Sequence, residues 1–144
     1  MKFHGTNDQT VEMKIAGYQY PQISDGDDGN WLNIYLNVRS GFGNWQVTDP
    51  SLTTADVSEL ANWFAELAIG EEPQYTSLAF MEPNISFKLM GMNYGMLSFR
   101  IVFSGECAPL ADLEDHYVDC LADSHELERI CNELQLELLK FPER

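Results

Sequence analysis

The sequence predicts an α+β domain: a mostly antiparallel sheet of six to seven strands with two amphipathic helices. Three observations carry this reading. Several runs alternate apolar and polar side chains with a period of two, two segments repeat apolar residues at helical spacing, and short turn signals separate the strands. A chain of 144 residues is long enough to bury one core, so residues 1–144 read as a single domain.

The first strand covers residues 10–18, with Val11, Met13 and Ile15 on one face. The segment Ser24-Asp25-Gly26-Asp27-Asp28-Gly29-Asn30 follows and reads as a turn or loop. Residues 31–38 alternate cleanly: Leu32, Ile34, Leu36 and Val38 face one way, and Trp31, Asn33, Tyr35 and Asn37 the other. Gly41-Phe42-Gly43-Asn44 turns the chain into a short strand, Trp45-Gln46-Val47, which Asp49-Pro50 should close. Short turns between sequential strands favour an antiparallel meander.

The first helix is expected over about residues 54–69. Thr53 or Thr54 is the N-cap, and Asp56 lies in the first turn, where a carboxylate meets the positive end of the helix dipole. Val57, Leu60, Ala61, Phe64, Leu67 and Ala68 form its buried stripe, Trp63 lies at the stripe's edge, and Gly70 supplies the stop. A second strand group spans residues 77–104. Leu78-Ala79-Phe80 precedes a turn at Glu82-Pro83-Asn84. Ile85, Phe87 and Leu89, then Leu97, Phe99, Ile101 and Phe103, define two inward faces. The intervening Gly91-Met92-Asn93-Tyr94-Gly95 reads as a hairpin loop longer than two residues. Residues 105–122 are mostly an acidic loop, in which residues 116–121 could form a short strand. The second helix is expected over about residues 124–141. Asp123 with Glu126 has capping-box spacing, Leu127, Ile130, Cys131, Leu134, Leu138 and Phe141 form the stripe, and Pro142 ends it. No internal sequence repeat stands out.

Charge bounds the function. The chain has 23 acidic and 8 basic side chains, a net charge of −15, whereas solubility needs only about 2–8. Such a field repels polyanions, so nucleic acid and anionic membrane are not expected partners, and a basic protein is. Acidity is concentrated in residues 105–144, with eleven carboxylates against Arg129, Lys140 and Arg144. No apolar run has the length of a membrane span or a signal peptide, and the expected location is cytoplasmic. Cys107, Cys120 and Cys131 are an odd number, which suits free thiols in a reducing compartment. Cys131, on the helical stripe, reads as core.

Candidate chemistry is sparse. Asp25-Gly26-Asp27-Asp28-Gly29-Asn30 resembles part of a calcium loop, yet its sixth residue is Asn30, not glycine, and its twelfth is Leu36, not glutamate. Glu114, Asp115, His116, Asp119 and His125 sketch a zinc site without a rigid frame to hold it. No nucleophile–base motif, phosphate loop or dinucleotide fingerprint appears. No enzyme activity and no cofactor or metal are therefore expected. Trp31, Trp45 and Trp63, with Tyr18, Tyr20 and Phe42, read as core rather than as a ligand pocket.

The order of several segments resembles the WapI-type immunity proteins. These segments are Ile15-Ala16-Gly17-Tyr18-Gln19-Tyr20-Pro21, an Asp-rich turn, Asn30-Trp31-Leu32-Asn33, Gly43-Asn44-Trp45, Asp49-Pro50-Ser51-Leu52-Thr53 and Leu60-Ala61-Asn62-Trp63-Phe64. The resemblance covers about residues 12–68, and the second half agrees only in layout. It implies a cytoplasmic antidote that binds and neutralises the C-terminal domain of a polymorphic or contact-dependent bacterial toxin, such as a nuclease. It implies no catalytic residue, and it assigns Asn30, Trp31, Leu32 and Trp45 to fold stability. Basic toxin surfaces and an acidic inhibitor are complementary. The expected docking carboxylates are Glu106, Asp112, Glu114, Asp115 and Asp119, with Glu71 and Glu72 as a second patch. The alternative is an acidic, non-enzymatic interaction module for another cytoplasmic partner.

Overall fold

The computed structural model describes residues 1–110 and 116–144. Among the described residues, eight strands form two four-stranded antiparallel meanders, each followed by a helix. The first sheet comprises β1 (Lys2–His4), β2 (Thr10–Tyr18), β3 (Trp31–Ser40) and β4 (Gly43–Thr53), and α1 (Thr54–Ala68) follows it. The second comprises β5 (Ser77–Ala79), β6 (Ile85–Asn93), β7 (Met96–Phe103) and β8 (His116–Ala122), and α2 (Ser124–Lys140) follows it. The α+β class and both helices are as expected. The strand count exceeds six to seven because Lys2–His4, too short to show a period, pairs with β2.

The two sheets meet edge to edge through β1 and β8. Gly5 bridges Cys120, and the Thr6 N–H donates to the Asp119 carbonyl at 2.8 Å. A Cβ on Gly5 would lie 2.6 Å from Val118 Cγ1 and 3.1 Å from the Asp119 carbonyl, so only glycine allows this approach. Phe3 sits at the seam and packs within about 6 Å of Phe64, Phe87 and Phe99. One aromatic cluster thus joins β1, α1, β6 and β7, all four rings being fully buried or nearly so. The expected inward faces of β2, β3, β6 and β7 are buried, Leu89 only in part.

Four local expectations are corrected. The strand after the first hairpin does not close at Asp49-Pro50: β4 continues to Thr53. It tolerates proline because it is an edge strand with an irregularity opposite Leu32 and Ile34, where no ladder bond needs the missing N–H. The β6–β7 hairpin has a two-residue turn, Tyr94-Gly95, rather than a longer loop. A register shift between Leu89 and Gly91 absorbs the extra residue. Trp63 is buried rather than marginal, and its Nε1 donates to the Tyr75 carbonyl at 2.9 Å. Phe42 and Tyr20 are exposed and Trp31 and Trp45 only half-buried, so several aromatics expected in the core lie at the surface.

The caps explain the helix limits. Thr53 and Asp56 form a reciprocal capping box, with Thr53 N to Asp56 Oδ2 at 2.8 Å and Asp56 N to Thr53 Oγ1 at 3.2 Å. At the other end Gly70 has φ +77°. Its N–H donates to Leu67 and that of Glu71 to Glu66, a Schellman arrangement that stops the helix. The Asp123 side chain accepts from Glu126 N at 2.9 Å and caps α2. Asn30 ties three segments together. Its Oδ1 accepts from Thr54 Oγ1 (3.1 Å) and Arg144 N (2.8 Å), and its Nδ2 donates to the Gly26 and Arg144 carbonyls. This supplies a physical basis for the stabilising role expected of Asn30.

All three cysteines are free and buried. Burial pushes the thiol of Cys107 up to about 11 and that of Cys120 up to about 12, so both stay protonated at neutral pH.

Two α2 carboxylates couple stability to pH. Arg129 holds Glu126 below the usual carboxylate range through bonds of 2.5 and 2.8 Å. Burial opposes ionisation of Glu137, but Lys140 and the Ile15 N–H outweigh it and lower its pKa. A folded-state pKa below the unfolded value of about 4.3 stabilises the fold above that pH, and the benefit is lost as pH falls through the depressed values. Thermal unfolding between pH 7 and 3 should therefore show a loss below about pH 4. That loss should be smaller in Glu126→Gln than in the parent. An equal loss in both would show that Glu126 contributes nothing to the acid limb.

Candidate functional site

Four of the expected docking carboxylates, Glu106, Asp119, Glu71 and Glu72, lie among the described residues. Glu106 is exposed on a single helical turn, Gly105–Cys107, directly after β7. Asp119 lies in the middle of β8, and its two oxygens accept from Arg100 Nε and Nη2 at 2.7 and 3.0 Å. Arg100 also lies over the Tyr117 ring at 3.8 Å. A carboxylate already paired in this way offers little free charge to a partner. Asp112, Glu114 and Asp115 lie outside the described residues. Glu71 and Glu72 are exposed just beyond the end of α1. No basic residue occupies the last turn of that helix. Carboxylates there add to the negative end of the dipole, an arrangement that does not favour the helix but strengthens the local negative field.

Glu106 instead joins three acidic residues that sequence reasoning did not select. Asp28, Asp49 and Glu82 line, with it, a surface cleft of about 350 Å³. Each comes from a different segment: Asp28 from the turn before β3, Asp49 from β4, Glu82 from the β5–β6 connection and Glu106 from the turn after β7. Trp31 and Tyr20 also line it. The cleft is therefore acidic with aromatic side chains in its wall, a combination suited to a guanidinium or ammonium group.

The floor of the cleft is held in place. Asp49 Oδ2 accepts from Ser51 Oγ at 2.6 Å and from Asn84 Nδ2 at 3.3 Å. Ser51 Oγ lies 3.2 Å from Cys107 Sγ, and Trp45 Nε1 donates to the Cys107 carbonyl at 3.0 Å. Trp45 packs edge-on against Phe103. The first sheet is thereby fastened to the turn that carries Glu106. The signal for this site in the sequence was only the presence of acids beside Pro or Gly. Their convergence depends on the packing of β4 against the 105–107 turn.

No curated protein and no solved structure matches the chain. The family model of the Immunity protein WapI-like family matches residues 2–142. The match spans both meanders and both helices, so it extends well beyond the segment 12–68 on which the sequence resemblance rested. This chain belongs to the WapI-like immunity protein family.

Proposed function

We propose that this protein binds a cognate bacterial toxin domain and neutralises it by covering the toxin's basic, substrate-binding surface. The observation that carries the reading is the family match over nearly the whole chain, joined to a net charge of −15. A toxin that acts on a polyanion, such as a nuclease, presents a basic surface, and an acidic inhibitor meets it with complementary potential. Rapid capture matters for an antidote, and electrostatic steering raises association rates well above the neutral range. The acidic cleft supplies the carboxylates of the docking face: the exposed Glu106, Asp28 and Glu82, with the hydrogen-bonded Asp49 at its floor. Glu71, Glu72 and the acids at 112, 114 and 115 add to the same long-range field. Inhibition by occlusion requires no catalysis and no cofactor, and the protein acts in the cytoplasm, where the toxin would otherwise reach its substrate.

The test is neutralisation. The purified C-terminal domain of the toxin encoded by a neighbouring gene is assayed with and without this protein at 1:1 stoichiometry. The expected result is tight, salt-sensitive binding and loss of toxin activity. Full toxin activity in the presence of excess protein would overturn the reading.

A further inference from the structure

We infer that the tip of the β6–β7 hairpin is the apolar anchor of the toxin interface, with Tyr94 as its central contact. The inference rests on the immunity reading and deepens it. The acidic surface accounts for attraction at a distance, and the hairpin accounts for what holds the partner once it arrives.

Four observations converge on this tip. Tyr94 is 98 % exposed, and Met92 is 60 % exposed, with Met90 and Met96 exposed beside them. Exposed Met and Tyr side chains grouped in this way characterise protein-binding surfaces: Tyr is enriched at energetic hot spots, and Met adapts to a partner's shape. Next, Tyr94 and Gly95 have φ of +52° and +77°, the signature of a type I′ turn. Its first central position favours Asn, Asp or Gly. A tyrosine there is strained, makes no use of burial, and thus serves something other than the free fold. Third, residues 83–105 contain no carboxylate and two basic side chains, Lys88 and Arg100, in a chain of net charge −15. The acid is missing where a desolvated contact would make it costly. Fourth, β5 pairs with β6 only as far as Lys88. Among the described residues no strand covers the outer edge of residues 90–93. The other edges are treated differently. β4 carries Pro50 and an irregularity, and β1 and β8 close on one another.

Charge decides the occupant. Met96 and Leu121 border a shallow depression that also takes in His4, Asp123, His125 and the paired Glu126 and Arg129. The rim is of mixed charge, and what selects a basic protein surface with an apolar pocket is the net charge of −15 on the whole chain. A second copy of this chain would bring another −15 against the first, and an anionic membrane would be repelled in the same way.

The experiment compares the parent with Tyr94→Asn and with Met92→Ser, using the C-terminal domain of the neighbouring gene's toxin as the probe. Dissociation constants, rates and thermal midpoints are measured together. Tyr94→Asn should leave the midpoint unchanged or raise it, because Asn accepts the turn conformation. It should weaken toxin binding at least tenfold, mainly through faster dissociation, and Met92→Ser should weaken it in the same direction. Affinity within twofold of the parent for both variants would overturn the anchor while leaving the immunity reading intact. A midpoint that falls in proportion to the affinity would also overturn it, since Tyr94 would then serve the fold. Sedimentation that shows a dimer lost in Tyr94→Asn, with toxin affinity unchanged, would assign the tip to self-association instead. Failure of the parent itself to bind the toxin would overturn the immunity reading, and the anchor with it.

Discussion

Replacing Asp28, Glu82 and Glu106 together by Asn, Gln and Gln should slow association with a basic toxin domain on the order of tenfold at low ionic strength. All three side chains are exposed, so the substitutions remove charge without disturbing the core. The effect should fade as salt rises, because at 0.1 M the screening length is already about 10 Å. Dissociation should change less than association. Stopped-flow association at two salt concentrations reads this directly. An unchanged on-rate at low salt would remove the cleft from the docking face and leave only the diffuse charge of the chain. Asp119→Asn is the informative contrast. Its carboxylate is paired with Arg100, so its loss should lower stability by leaving a half-buried guanidinium without its partner, and should leave association nearly unchanged.

The largest effect on stability is expected for Phe64→Ala. Phe64 is fully buried, and its ring touches those of Phe3, Trp63, Phe87 and Phe99 at centroid distances of 5.2–6.0 Å. It lies on α1 and contacts both sheets, through Phe3 of the first and Phe87 and Phe99 of the second. Truncation removes the transfer free energy of the ring and leaves a cavity that rigid strands on both sides cannot close. Losses of about 3–5 kcal/mol are typical of such a site. A domain of this size has about 5–15 kcal/mol in all, so the midpoint of thermal unfolding should fall on the order of 10 °C. Denaturant unfolding gives the number. A loss below about 1 kcal/mol would mean that the two halves are stabilised independently and that the aromatic seam does not unite them.

Much of the local structure was legible. The alternation over residues 31–38 and 97–103 marked β3 and β7 with the right inward faces, because a period of two is a property of neighbouring residues. The helices were legible for the same reason: Thr53, Asp56 and Gly70 act within one turn of the positions they cap. The hairpin at residues 93–96 was not. A register shift at Leu89/Gly91 let the strand run on through the glycine that seemed to end it. β4 was truncated in the same way at Pro50, because the rule that proline ends a strand holds for central strands and relaxes on an edge.

The candidate site was less legible than the fold. Ranking acids by local density pointed to residues 106–119, where Asp119 proved to be neutralised by a residue nineteen positions away. The acids that do converge, Asp28, Asp49, Glu82 and Glu106, are spread over much of the sequence, and only Asp28 has an acid, Asp27, next to it. By itself the sequence determined the element types, most inward faces, the helix caps and the sign and size of the charge. These follow from interactions within a few residues or from simple summation. Only the tertiary structure decided which acids share a cleft, which one is already paired, how β1 meets β8 at Gly5, and that Asn30 gathers three segments. Those depend on strand register and packing between distant segments, where one residue of slip turns a side chain to the opposite face.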